Sequence, residues 1–149
     1  YENTPMMIGL TYNGHPVALA AALAVINIYE SDNLIENARN MGAYLENRIE
    51  AMRAEHPSMG AFRNTGLLGC LDVLKNKATG ELIAPYNASG DDLKVTNLIA
   101  AKLRALGLYT FVRWSYIFIA PPLCITKEQI DEGLAIIGEA LKIADENLV

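Results

Sequence analysis

A small α/β sandwich, in which helices cover a short, mostly antiparallel sheet, is the fold class this sequence predicts. Three observations carry that expectation. Helical and extended patterns alternate along the chain. Two β-forming runs flank a short turn near Trp114. The final helix opens with a complete capping signal. The 149 residues suffice for one compact core. A hydrophobic fraction of 52% lies at the apolar end of the soluble range, which predicts burial against another domain or subunit.

Residues 1–14 carry Pro5, Gly9, Asn13 and Gly14 and are expected to form an ordered loop. Pro16 suits the first turn of a helix, where its missing N–H costs nothing. From Val17 to Tyr29 the chain is Ala-rich and apolar on nearly every side, which predicts a helix covered all round and lying between two bodies of protein. Ser31 and Asp32 can cap a second helix. Its Leu34, Ala38, Met41, Leu45, Ile49 and Met52 recur at three- and four-residue steps, and Pro57 stops it. Ala61 to Leu74 reads as a strand, with Gly66 and Gly69 marking a close backbone approach.

Lys75 to Asp91 is polar and turn-rich, a surface excursion. Asp91 or Asp92 can cap a third helix bearing Val95, Leu98, Ile99, Leu103 and Leu106, which Gly107 ends. Leu108 to Val112 and Tyr116 to Ala120 form candidate paired strands around Arg113, Trp114 and Ser115. Thr126 and Gln129 fit a capping box, and Ile130, Leu134, Ile137 and Leu141 then draw one apolar stripe. The expected organisation is a loop over 1–14, a linking helix over 15–31 and a small α/β domain over 32–149.

Charge and composition exclude several functions. A net charge of -5 argues against nucleic-acid binding, which needs clustered Lys and Arg. The longest apolar stretch, Pro16 to Ile26, falls short of the roughly 20 residues of a membrane span. Cys70 and Cys124 stand in apolar runs without metal-ligand spacing, so both are expected to be buried thiols in a reducing compartment, which points to the cytoplasm. The chain opens without Met or a leader-like segment and reads as part of a longer protein.

The informative segment is Gly9-Leu10-Thr11-Tyr12-Asn13-Gly14-His15-Pro16. A hydroxyl and two glycines stand before a Pro-started helix, whose N-terminus presents unpaired N–H groups that favour anions such as phosphate. This segment, with the Ala-rich helix behind it, resembles the Thr-x-Ser/Asn-Gly-His/Asn-Pro element of class III (omega) aminotransferases that use pyridoxal phosphate (PLP). The likeness continues through Arg63 to Leu67, the Leu-Gly-Leu at 106–108 and Pro121-Pro122-Leu123 before the last helix. Two positions depart from the pattern: Ile8 stands where His is usual, and Asn64 where the first Gly of Arg-Gly-x-Gly is usual.

The resemblance implies the C-terminal small domain of a fold-type-I PLP enzyme, preceded by the helix that links it to the large domain. It implies that Thr11 binds the phosphate of the neighbouring subunit's cofactor in a homodimer. Tyr12 either faces the cofactor edge or packs. The large domain of the family carries the lysine that holds the cofactor covalently. None of Lys75, Lys77, Lys94, Lys102, Lys127 and Lys142 has a desolvating setting, so this portion alone is expected to be inactive, with no catalytic residue of its own.

The expected reaction of the complete protein transfers an amino group from an amine or omega-amino acid to a 2-oxo acid of the pyruvate type. An aminomutase of the same fold, or a free-standing ligand-binding or dimerisation module, is the alternative. Where ornithine-type relatives hold an α-carboxylate-binding Arg, this chain has Phe118; Arg113 stands near the mobile Arg of the pyruvate-using group, although Phe111 is the ungapped match. Arg113 and Trp114 are therefore candidate substrate-binding residues, with Arg113 as the anion anchor. His15 reads as a helix-start packing residue and His56 as a solvent-facing one. Arg63 reads as a strand brace that pairs with a carboxylate or carbonyls.

Overall fold

The structure, a computed structural model, describes residues 3–4 and 9–149. Of the loop expected over 1–14, Pro5 and the departure at Ile8 lie outside the described residues. Internal contacts divide the chain into two units, Tyr1–Leu34 and Ile35–Val149.

In the first unit, the helix α1 spans Pro16–Ser31, with Pro at its first position as the sequence predicts. Apolar side chains stand on every face of it. All 16 of its residues are exposed in this chain, among them Val17, Leu23 and Ile26. Ser31 does not cap the following helix. It is the last residue of α1, and its hydroxyl donates to Ile28 and to Asp32, the α1 C-cap. Asn33 then takes a left-handed φ of 51°, which Asn tolerates better than most residues.

The second unit contains α2 (Leu34–Met52) from its second residue on, β1 (Met59–Thr65), β2 (Leu68–Asn76), β3 (Glu81–Leu82), α3 (Lys94–Ala105), β4 (Val112–Arg113), β5 (Tyr116–Ile119) and α4 (Lys127–Asp145). All pairings are antiparallel, in the order β1-β2-β5-β4, with β3 beside β2. The strand expected over 61–74 is in fact a hairpin. Gly66, at a φ of 56°, reverses the chain, and Thr65 pairs with Leu68. The uninterrupted run of β-forming residues hid the break, whose only local sign is Gly66.

Alternation along β2 buries Gly69, Leu71 and Val73 on one face. Leu71 and Ile117 of the paired β5 are fully buried, as is Leu141 of α4, with Leu45 and Ile49 of α2 and Ile99 and Leu103 of α3 at 1% exposure around them. The α4 stripe lands as its sequence predicts. Thr126 and Gln129 form the expected capping box, the Thr126 hydroxyl accepting from the Gln129 N–H and the Gln129 side chain accepting from the Thr126 N–H.

Three expectations are corrected here. His56 is buried; its Nδ1 lies 2.7 Å from Asp145 Oδ2, and the other Asp145 oxygen accepts the Ser58 N–H. That aspartate is 89 residues away, so nothing local in the sequence signals the pair. Cys124 is exposed and Cys70 only half-buried. Leu108 to Phe111 contributes no regular strand; Val112–Arg113 pairs with β5, and the Phe118 N–H donates to the Phe111 carbonyl beside it.

Asp131 joins α4 to α2 by accepting from the Tyr44 hydroxyl at 2.8 Å and from Arg48 Nε at 2.7 Å. The Tyr44 hydrogen bond, and then Arg48, hold its carboxyl below the usual aspartate range. Two residues before Tyr44, Gly42 backs onto the β1–β2 turn, where an added Cβ would stand 2.5 Å from the Gly66 carbonyl oxygen. Gly133 in α4 faces open space by the same measure. Gly42→Ala is therefore expected to destabilise by about 1–3 kcal/mol through overpacking. Gly133→Ala should gain roughly 0.5–1 kcal/mol from helix propensity. Chemical denaturation of both variants checks the pair, and equal effects would contradict this packing.

Candidate functional site

In the first unit, a turn leads into α1. The Asn13 N–H donates to the Leu10 carbonyl at 2.9 Å and the His15 N–H to the Tyr12 carbonyl at 3.2 Å. Gly14 adopts a φ of 75°, which a side chain would oppose. His15 is the N-cap residue, yet its side chain makes no capping hydrogen bond; its ring instead sits 5.9 Å from that of Tyr12. The helix thus begins uncapped, with no acidic residue in its first turn. Thr11 and Tyr12 are exposed beside it. The donors gathered here are a neutral hydroxyl and the N–H groups at a helix start, and no carboxylate stands among residues 9–18. That donor set fits a phosphate dianion.

In the second unit, β4 and β5 meet at a tight turn formed by Trp114 and Ser115, with Arg113 opposite Tyr116. Trp114 occupies the left-handed region at a φ of 52°, a costly conformation for a bulky residue. Its carbonyl accepts the Thr96 hydroxyl at 2.6 Å. The buried Ser115 hydroxyl donates to the Ala84 carbonyl at 2.6 Å and accepts the Ala84 N–H at 2.8 Å. The Arg113 guanidinium carbon lies 4.4 Å from the Trp114 ring centroid, and the Tyr86 ring packs at 4.6 Å from the same indole, tilted by 58°. Arg113 is exposed and, among the described residues, forms no ion pair. It is a cation held against an aromatic face, with its donors open to an anion.

Thr11 and Tyr12 therefore belong to the first unit, and Arg113 and Trp114 stand together in the second. Phe118 is half-buried and packs on Phe111 at a centroid distance of 5.3 Å, so this part of the strand pair offers an aromatic wall. Arg63 has a carboxylate partner, as one of its alternatives anticipated. It grips Asp72 with both terminal nitrogens, which raises its already high pKa. Partial burial, and then Asp72, push the neighbouring Cys70 thiol up. All six lysines are exposed.

Sequence reasoning missed Thr96, Ser115 and Tyr86. Thr96 offered the one available signal, a hydroxyl beside Val95 on the helix face that Ile99 and Leu103 bury. Ser115 and Ala84 are 31 residues apart and gave no local sign.

Known proteins share the sequence pattern and the fold. The model of the family "Aminotransferase class-III" matches residues 2–141, and the chain belongs to that family. It is similar to an uncharacterised aminotransferase of Schizosaccharomyces pombe, 37% identical over 82% of this chain and 27% of that protein. A taurine:2-oxoglutarate aminotransferase from Bifidobacterium kashiwanohense, solved with PLP and glutamate, superposes with a TM-score of 0.84 at 39% identity, over 96% of this chain and 31% of that one. An (S)-enantioselective omega-transaminase from Thermomicrobium roseum gives 0.79 at 31% identity, over 95% and 30% of the two chains. The α/β fold is that of these transaminases, and the chain spans less than a third of the length of each of these relatives.

Replacing Ser115 by Ala would strand the buried Ala84 N–H and carbonyl, which otherwise bond to its hydroxyl. Ser115→Ala is expected to cost about 1–3 kcal/mol of stability in a denaturant titration. An unchanged midpoint would mean that the Ala84 segment does not hold the turn.

Proposed function

We propose that the complete protein is a homodimeric PLP-dependent aminotransferase that moves an amino group from an amine or omega-amino acid to a 2-oxo acid. The observation that carries this reading is the Thr11–Gly14 turn opening into an uncapped, Pro-started helix, in a chain that matches the class III family. Pyridoxal phosphate, when bound, supplies the electron sink for cleavage at the carbon bearing the amino group. The part of this chain is to hold and to select. The Thr11 hydroxyl and the α1 N-terminus bind the phosphate belonging to the neighbouring subunit's site, and Tyr12 stands at its edge. α1 links the large and small domains, which accounts for apolar side chains on every face. The six exposed lysines offer no desolvated amine, so the 149 residues alone are inactive in this reading.

Arg113 anchors the acidic group of the substrate, with Trp114 as the wall beside it. Compact substrates with one acidic group, such as β-alanine or taurine, suit a single arginine; a carboxylate and a sulfonate are both good partners for its fork. Pyruvate is the favoured acceptor, because Phe111 and Phe118 face each other nearby and the guanidinium of Arg63 is already engaged by Asp72. The competing acceptor is 2-oxoglutarate, used by the 39%-identical taurine aminotransferase according to its name.

Two measurements on the complete protein test the reading. Thr11→Ala removes a charge-assisted hydrogen bond worth roughly 1.5–3 kcal/mol. Cofactor retention, followed by dialysis and absorbance, should weaken about tenfold or more, while the melting temperature of the cofactor-free protein stays put. Unaltered retention would reduce Thr11 to a loop residue. Arg113→Ala should lose about 2–4 kcal/mol of kcat/KM for acidic amines and little for uncharged ones, with pyruvate and 2-oxoglutarate each assayed as acceptor. Equal losses for both amine classes would remove Arg113 from the site.

A further inference from the structure

The Arg113–Trp114 turn is supported from two directions by residues that touch no ligand in the reading above. A tryptophan with a φ of 52° is strained and persists only where its surroundings over-determine it. Beside the bonds between Ser115 and Ala84, two contacts made by Trp114 itself do so here. The Thr96 hydroxyl, on a side chain only 5% exposed in α3, donates to the Trp114 carbonyl. The Tyr86 ring, 79% exposed, backs the indole at 4.6 Å. The indole in turn carries the Arg113 guanidinium at 4.4 Å.

The chain of contact runs from a buried hydroxyl through a strained peptide and a tilted aromatic pair to an open cation. We propose that Thr96 and Tyr86 are positioning residues for substrate recognition, holding Trp114 so that its ring fixes where the Arg113 fork stands for an acidic substrate group. Without the Thr96 hydrogen bond, Trp114 relaxes from the left-handed region and its indole leaves the guanidinium. Arg113 then samples its rotamers freely and meets the anion only part of the time. The charge is kept and its placement is lost.

This inference rests on Arg113 being the anion anchor. Its consequence is a KM effect confined to acidic substrates. In the complete, cofactor-loaded protein, Thr96→Val is close to isosteric and removes only the donor, whereas Thr96→Ser keeps it. Steady-state kinetics with β-alanine and with an uncharged primary amine should show the β-alanine KM of Thr96→Val rising about fivefold. Its kcat, and both constants for the uncharged amine, should move less than about twofold. Thr96→Ser should restore the β-alanine KM. Tyr86→Ala, at an exposed position that folding does not need, should raise the same KM about threefold and gives a reading even if Thr96→Val fails to fold.

Combining either substitution with Arg113→Ala should add nothing further. Three results would overturn the proposal: equal KM changes for both amines, an undiminished Thr96→Val effect in the Arg113→Ala background, or no KM change in Thr96→Val and Tyr86→Ala alike. If Arg113→Ala alone reduces β-alanine turnover selectively while Thr96→Val and Tyr86→Ala do nothing, the anchor stands and only its positioning is refuted. If Arg113→Ala leaves the preference for β-alanine intact, the anchor reading falls and this inference falls with it.

Discussion

The pairing of β2 with β5 is the constraint on which the rest of the second unit depends. Leu71 pairs with Ile117 and Asp72 with Tyr116, and both aliphatic residues of that rung are fully buried. A slip of one residue would turn Leu71 and Val73 out to solvent. Fixed in this register, β5 places Tyr116 opposite Arg113, so the Trp114–Ser115 turn falls at one end of the sheet. The Val73 N–H bonds to the Ser115 carbonyl at 2.8 Å and ties the turn back to the central strand. Core packing and site geometry are thus one decision taken at one rung.

The turn itself shows how strain can be supported without a large core. Its left-handed tryptophan is opposed by elementary sterics, and the opposition is met by hydrogen bonds from α3 and from the segment at Ala84. Those two supports approach from separate parts of the chain and act on adjacent residues, one on the Trp114 carbonyl and the other on the Ser115 hydroxyl. The Tyr44–Asp131–Arg48 cluster and the His56–Asp145 pair play a comparable part across the helices, each linking α2 or the loop after it to α4. The exposed Arg48–Asp131 ion pair contributes little energy on its own, whereas the His56–Asp145 pair is largely buried. Their effect here is geometric: they hold α4 at one position along α2.

What the sequence disclosed follows from how local each signal is. The α4 stripe and its capping box were legible because both are written within four residues of each other along one helix. Pro16 announced the start of α1 for the same reason. The β1–β2 hairpin was not legible, because β-forming side chains run through the turn and only Gly66 marks it. His56 read as a surface residue, since its partner Asp145 belongs to an element at the far end of the chain. Of the candidate site, the Thr11 segment and Arg113 were visible as residue types in pattern. Thr96, Ser115 and Tyr86 became visible only when the fold brought them to Trp114.

The order of the elements has a consequence for how the protein is made. β2, the centre of the sheet, is synthesised well before β5 and α4, which complete its pairing and cover its core. Even the Lys75 carbonyl, at the end of β2, takes its hydrogen bond from Val149. While α4 is still inside the ribosomal tunnel, Leu45, Ile49 and Leu71 have no lid. Contacts of such long sequence separation form slowly, and an uncovered apolar sheet invites association in the interval. Newly made copies of this chain should therefore be most vulnerable after the β2 segment has emerged and before α4 arrives, the interval in which a chaperone has most to protect.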